Sequence, residues 1–304
     1  MKATFLGTAG SFPTPKRGAP AIAIQIGPQL ILLDCGEGTQ RQMAMARIGL
    51  KTKTRILITH MHGDHVLGLP GILQTMSLFS RVSPLRIYGP EGIAAFVEAT
   101  RETVKFNPTY PIEVVEIGEG IVYEEKEYFV ESAFMKHSIP ALGYSIIERN
   151  RPGRFYPQKA IESGIPEGPL WGELQKGKTV ESPEGRTVTP TDVMGPQRAG
   201  RKIVYTGDTS PNDAVVRLAR DADLLIHEAT FDDDSEYKAL ESGHSTPSQA
   251  AEIARDAHVK KLILTHVGGR YNKPDSFVNR ARDIFSETMM AEDLMTFEVY
   301  VPRL

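Results

Sequence analysis

Residues 55 to 66 read Arg-Ile-Leu-Ile-Thr-His-Met-His-Gly-Asp-His-Val, and the reading of this stretch decides the fold. The first half, Arg55 to Thr59, is β-branched and apolar, the pattern of a short buried strand. The second half packs His60, His62, Asp64 and His65 into six residues, with Gly63 supplying a tight turn. Neutral imidazoles and a carboxylate are the donors a zinc-type cation takes. Four such residues leaving the end of a buried strand predict a metal-binding loop, not a His-rich surface.

A single loop seldom satisfies a metal, so partners are expected elsewhere in the chain. Lys202-Ile-Val-Tyr-Thr-Gly runs into Asp208, Lys261-Leu-Ile-Leu-Thr into His266, and the strand-like Tyr128 to Lys136 into His137. Ligand types at the C-terminal ends of several strands converge on one rim of a sheet, where open α/β sheets carry their sites. Seven candidates result: His60, His62, Asp64, His65, His137, Asp208 and His266. That number suits two metals sharing a ligand, spaced roughly 3.5–4 Å apart so as to clamp both oxygens of an in-line displacement at phosphorus. Asp208 is the natural bridge, because a carboxylate offers two oxygens. Imidazole has one free nitrogen once the other holds a supporting hydrogen bond. Asp34 also ends an apolar strand and is read as a group that orients a ligand.

The chain has 304 residues, 40% apolar and 24% charged, enough for a large core in one big domain or two. No run of eighteen apolar residues and no leader-like start is found, so neither a membrane span nor a signal peptide is expected. Cys35 is the only cysteine, which fits a reducing cytoplasm. The net charge of −3 argues against a nucleic-acid partner globally, so any such claim must rest on local patches.

Residues 2–7 read as a first strand, followed by a Gly/Pro-punctuated loop, 8–20, that excludes helix. Lys16 and Arg17 on this loop are either solvated charges or phosphate contacts. A hairpin is expected over 21–33, helices at 37–48, 69–81 and 91–104, and strands at 85–88, 112–117, 121–124, 127–136 and 143–148. The tail returns to alternation. Ser210-Pro-Asn-Asp213 is read as capping a helix to about 220, and a capping box at Thr246-Pro-Ser-Gln249 opens helix 247–257. A strand over 223–226, one over 261–265, a helix at 275–286 and a closing strand Thr296 to Val301 complete the pattern. The sum is an α/β fold of two packed β-sheets with helices outside.

Residues 149 to 201 break the alternation and read as a long loop rich in Pro, Gly and charge, either functional or a linker. Over 149–202 Lys and Arg number ten against six Asp and Glu, a local excess of +4. Arg149, Arg151, Arg154 and Lys159 cluster beside Phe155 and Tyr156, as candidate phosphate contacts.

His60-x-His62-x-Asp64-His65, with the later His, Asp and His, resembles the metallo-β-lactamase superfamily, an αββα sandwich of two mixed sheets flanked by helices. Within it the chain resembles the RNase Z family of tRNA 3′-processing endonucleases. Thr8-Ala-Gly-Ser-Phe-Pro-Thr, Leu33-Asp-Cys-Gly-Glu-Gly-Thr-Gln, His137-Ser-Ile-Pro-Ala-Leu-Gly-Tyr, Tyr205-Thr-Gly-Asp-Thr, His227-Glu-Ala-Thr-Phe and His244-Ser-Thr-Pro carry that resemblance. It covers nearly the whole chain, 1–304, as one domain and implies two zinc ions per chain. One would take His60, His62, His137 and Asp208, the other Asp64, His65, Asp208 and His266. Asp64 would also accept the proton of the attacking water. The insertion at about 150–175 resembles a flexible arm that grips the tRNA body, and a homodimer is implied. The loop Pro13-Thr-Pro-Lys-Arg17-Gly18 departs from the bacterial Pro-x-Lys-x-Arg-Asn pattern, with the basic residue shifted and Asn replaced by Gly.

The expected reaction is therefore removal of the 3′ trailer from precursor tRNA, leaving a tRNA 3′-OH and a 5′-phosphate trailer. His244, oriented by Glu228, is the candidate proton donor to the leaving 3′ oxygen; His227 and Glu228 as structural strand-end residues are the alternative. Rival functions on the same fold are a general or cyclic-nucleotide phosphodiesterase, a lactonase or thioesterase, and a redox di-iron protein. The basic insertion speaks against the first. Five histidines among seven ligands speak against the last.

Overall fold

The computed structural model describes residues 1–50, 53–271 and 275–300. They form two compact units, Met1–Ile147 with Arg201–Leu304, and Glu148–Gly200.

The larger unit holds two seven-stranded sheets. The first runs in the order Thr296–Glu298, Lys2–Gly7, Ala21–Ile26, Gln29–Leu33, Lys53–Leu57, Leu85–Gly89, Ile112–Glu116. The second runs Thr288–Met290, Leu262–Thr265, Leu224–Glu228, Lys202–Tyr205, Ala141–Glu148, Tyr128–Met135, Gly120–Glu124. Both are mixed. Gln29–Leu33 pairs antiparallel with its hairpin partner and parallel with Lys53–Leu57. Lys202–Tyr205 is antiparallel to one neighbour and parallel to Leu224–Glu228.

The period-two alternation of strands explains the layering. Phe5, Ile24, Leu33 and Leu57 face inward and meet Tyr144, Ile203, Ile226 and Ile263 of the other sheet in one core cluster. Their neighbours Leu6, Ala23, Leu32 and Ile56 face the other way, onto Met43, Leu73 and Val97 of the helices Thr39–Met45, Leu69–Leu78 and Ile93–Val104. On the far side Val204, Leu225 and Leu264 pack on Val215, Ala250, Ala254 and Phe277 from helices Asp213–Ala219, Pro247–Asp256 and Asp275–Ile284. Each central strand is thus apolar on both faces, which is why the sequence shows continuous runs. The expected αββα sandwich is what forms.

Two expectations need correction. The helix after Asp208 starts later than Ser210: Asn212 is its cap, its carboxamide oxygen accepting from the Ala214 and Val215 amides. A side chain that reaches two orphan donors displaces the hydroxyl two residues earlier. The closing strand is Thr296–Glu298, and Val301 lies outside the described residues. The box Thr246/Gln249 forms as read.

The insertion is not a structureless loop. Helices Pro157–Glu162, Pro169–Gln175 and Pro190–Val193 and the pair Val180–Glu181/Thr187–Val188 enclose Ala160, Ile165, Leu174, Val188 and Val193. Three of the prolines, Pro157, Pro169 and Pro190, are helix starts within the first turn, where the missing N–H costs nothing. The ends of the unit meet at the isolated bridge Arg151–Arg198. Among the described residues no helix is long and apolar enough to cross a membrane.

Candidate metal centre

All seven candidate ligands lie at one rim of the larger unit: His60, His62, His137, Asp208 and His266 follow the C-terminal ends of strands, and Asp64 and His65 lie on the short helix Gly63–Val66. Two of the strand-end residues, Asp34 and His266, hold positive φ, both at 57°. This left-handed backbone costs roughly 1–2 kcal/mol for a side chain with Cβ, and such strain collects at functional sites. Gly207, at φ 61°, sits where a Cβ would lie 2.8 Å from the Thr59 side chain, so glycine is needed before Asp208.

The imidazoles face one another with one nitrogen each. His60 Nε2 lies 3.1 Å from His62 Nδ1, His137 Nε2 3.2 Å from His62 Nδ1, and His65 Nε2 3.3 Å from His266 Nε2. The opposite nitrogens of four rings are tied outward. His137 Nδ1 donates to the Gly243 carbonyl at 2.8 Å, and His65 Nδ1 to Asp34 Oδ2 at 2.7 Å. His60 Nδ1 reaches Thr59 Oγ1 at 2.9 Å, while that hydroxyl donates to Asp34. His266 Nδ1 reaches Thr230 Oγ1 at 2.8 Å, and Thr230 donates to Glu228 Oε2 at 2.5 Å. Carbonyl and carboxylate only accept, so Nδ1 carries the proton and Nε2 turns a lone pair inward.

Asp208 stands among these rings. Its Oδ2 is 3.7 Å from His60 Nε2 and 3.5 Å from His65 Nε2; its Oδ1 is 3.3 Å from His266 Nε2. Oδ1 is buried and makes no hydrogen bond. Asp64 Oδ2 lies 3.5 Å from His65 Nε2 and 3.4 Å from His266 Nε2, and it accepts the Ser11 amide at 3.0 Å. Inward lone pairs packed around an orphaned carboxylate oxygen fit cations. The set His60/His62/His137 and the set Asp64/His65/His266 could each hold one, with Asp208 between.

The charges agree. Burial first, then its His65 neighbour, keeps the His60 pKa well below 6.5, and burial does the same to His62 more mildly. Both are neutral imidazoles. Burial opposes charge on His65 as well, but Asp208 and Asp34 outweigh it and raise its pKa, the mark of a place that attracts positive charge. Burial likewise works against ionised Asp64, yet hydrogen bonds with His266 and His65 hold its carboxyl well below the usual range.

Beside this ring stands a dyad. His244 Nδ1 is 2.8 Å from Glu228 Oε1 and 3.9 Å from Asp208 Oδ2. Glu228 is fully buried and also accepts from the amides of Thr209 and Thr230. Burial disfavours the imidazolium, but Glu228 outweighs it, and the His244 pKa rises to about 9. That pKa leaves His244 protonated at neutral pH, and its ring lines an open cleft. His227, next in sequence, is buried with Nε2 unpaired and stands apart from the seven ligands.

The basic candidates are less uniform. Lys16 is exposed and lines a cleft of about 420 Å³ with Arg41. Arg17 turns inward instead, Nη1 donating to Thr8 Oγ1 at 2.6 Å and to the Ala291 carbonyl at 2.7 Å, so it shapes the loop. Arg149 is exposed. In the insertion, Arg151 is paired with Glu148 at 2.6 Å. Arg154 and Lys159 are exposed and lie 5.8 and 5.0 Å from the Tyr156 ring centroid. Within Glu148–Gly200 there are eight Lys/Arg against seven Asp/Glu, a net of only +1, because Arg201 and Lys202 belong to the larger unit and Glu148 to this one. The hydroxyls of Thr59, Thr230 and Tyr205, which steady Asp34, Glu228 and the imidazoles, were not singled out from the sequence. Nothing in their spacing marks them.

The profile of the metallo-beta-lactamase superfamily matches residues 15–266. The chain is 47% identical over 299 residues to the ribonuclease Z of Methanothermobacter thermautotrophicus, covering 98% of this chain and 97% of that one. It is 45% identical to the ribonuclease Z of Methanosarcina acetivorans over 300 residues, 98% of each. Among solved structures it is similar to the short form of human tRNase Z, with TM-score 0.73, 31% identity and full coverage of both chains.

Proposed function

The chain belongs to the ribonuclease Z family of the metallo-β-lactamase superfamily, and from that premise we propose that it is a zinc-dependent endoribonuclease removing the 3′ trailer from precursor tRNA. The observation that carries the reading is the Glu228–His244 dyad set against a rim of seven ligands. His60, His62, His137 and Asp208 would hold one ion, and Asp64, His65, Asp208 and His266 the other. Bound ions of this kind lower the pKa of water toward ~7 and neutralise charge on phosphoryl oxygens. Asp64, kept ionised and steadied by the Ser11 amide, accepts the proton of the attacking water. His244 gives its proton to the departing 3′ oxygen, with Glu228 fixing ring orientation and charge. Water as nucleophile makes the 2′-OH dispensable. The products are a tRNA 3′-OH and a 5′-phosphate trailer. Incubation with a 3′-extended precursor tRNA and mapping of both new ends tests this; a 3′-phosphate on the tRNA would overturn it.

The insertion supplies the grip on the tRNA body. Arg154 and Lys159 beside Tyr156 offer two cations and a ring, and contacts of this kind position an RNA without reading its sequence. The double variant Arg154→Ala/Lys159→Ala should flatten the salt slope of log affinity by about 1.4–1.8, two phosphates' worth. Hydrolysis of a small chromogenic phosphodiester should be unchanged. Equal slopes in variant and parent would remove these residues from the interface.

A homodimer is supported by an apolar surface on the helices Thr39–Met45 and Leu69–Leu78 and the turns beside them. Met45, Leu67, Leu78, Phe79 and Val82 are all at least half exposed, Leu78 83% and Val82 80%. Side chains like these in one region mark protein contacts. Leu78→Asp/Phe79→Asp should sediment as a monomer where the parent sediments as a dimer; an unchanged sedimentation coefficient would exclude this face. The lone buried thiol of Cys35, pushed up to about 12 by burial, fits the reducing cytoplasm proposed as its location.

A further inference from the structure

A cleft of about 430 Å³ opens beside His244, and the ligand ring does not use it. Its walls include Phe12, Phe231 and Arg270, with Gly268 and Gly269 between. Phe12 is 57% exposed, although it sits at the edge of a deeply buried centre. Its ring lies directly on Gly269, where a Cβ would come within 2.7 Å of it. The Phe231 ring is 5.8 Å from that of His244. Arg270 is exposed, with its guanidinium carbon 5.5 Å from the Phe231 centroid, and among the described residues no carboxylate is paired with it. An aromatic ring this exposed contributes little packing. Two π-faces and an unpaired guanidinium are what a nucleobase and its phosphate require.

Resting on the RNA-cleaving reading above, we infer that this cleft seats one nucleobase, that of the nucleotide whose 3′ oxygen leaves, stacked on Phe12 and Phe231 with Arg270 on an adjacent phosphate. The side is set by His244, which lines the cleft and protonates that oxygen, so the sugar bearing it lies here. No carboxamide or carboxylate lines the cleft to read a base edge. The base is therefore held chiefly by its face, and its presence should matter more than its identity at this position.

The test compares two precursor tRNAs, one abasic at the last retained nucleotide and one abasic at the first trailer nucleotide, against the parent protein, Phe12→Ala and Phe12→Trp. In the parent, the abasic site on the retained side should lower kcat/KM by roughly 5- to 150-fold, the range for one stacked base. Phe12→Ala should show a similar loss on intact precursor and little further loss on that abasic substrate. Phe12→Trp should restore the parent rate, and metal content and thermal midpoint should not change in either variant. Coupling of Phe12 to the trailer-side abasic site would overturn the assigned occupant. Additive losses on both substrates would show that no base stacks on Phe12. A parent protein that leaves precursor tRNA intact would bring down the RNA-cleaving reading, and this inference with it.

Discussion

Asp208→Ala should leave a folded protein that has lost most of its bound metal and at least about 10³-fold in precursor-tRNA cleavage, since metal-borne charge stabilisation is worth several kcal/mol. Asp208 is the one anion lying against both ligand sets, within 3.7 Å of the inward nitrogens of His60, His65 and His266. Its Oδ1 has no hydrogen bond to give up, and its Oδ2 lies 3.5 Å from His65 Nε2 and 3.7 Å from His60 Nε2, so a methyl there chiefly removes attraction for cations. The two sheets and their core clusters do not depend on it. Metal analysis of the purified variant, read beside its circular dichroism, is the measurement. A folded Asp208→Ala protein that keeps two ions and full activity would end the shared-ligand reading. His62→Ala should be milder in metal loss, because His62 belongs to one set only.

The second large effect is at His244. Loss of a general acid costs on the order of 10²–10⁴-fold, and His244→Ala should slow cleavage by that much while retaining metal. With its pKa raised to about 9, the donor form is present at neutral pH and is lost as pH climbs through about 9. The parent kcat/KM should therefore fall on that alkaline side. Glu228→Gln keeps a hydrogen-bond partner but removes the charge that raises the pKa, so the fall should move to lower pH. A 3′-S-phosphorothiolate substrate, whose thiolate departs without a proton, separates this role from a structural one. His244→Ala should cleave it at close to the parent rate. If both substrates slow equally, His244 does not donate the proton.

The contrast between the two effects follows from where each residue sits. In the proposed mechanism Asp208 would act through position among imidazoles held from behind by Thr59, Asp34, Gly243 and Thr230. His244 would act through its charge, which buried Glu228 favours. Of these supports, Asp34 and Glu228 were expected from the sequence, whereas Thr59 and Thr230 read as ordinary strand-end residues.

By itself the sequence determined the sandwich, because strands buried on both faces must be apolar throughout and the helices that cover them must repeat at 3.6 residues. It also determined which residue types end those strands, and so the seven candidate ligands. The tertiary structure decided most of what holds the rings. The orienting roles of Asp34 and Glu228 were legible, but which ring Asp34 serves was not, and neither were the Thr59, Thr230 and Gly243 contacts behind His60, His266 and His137. The tertiary structure also turned Arg17 inward, and it made a small folded unit of a stretch whose prolines read as loop. In each case the deciding contact is between residues distant in the chain or depends on which way a side chain packs, and neither leaves a periodicity to read.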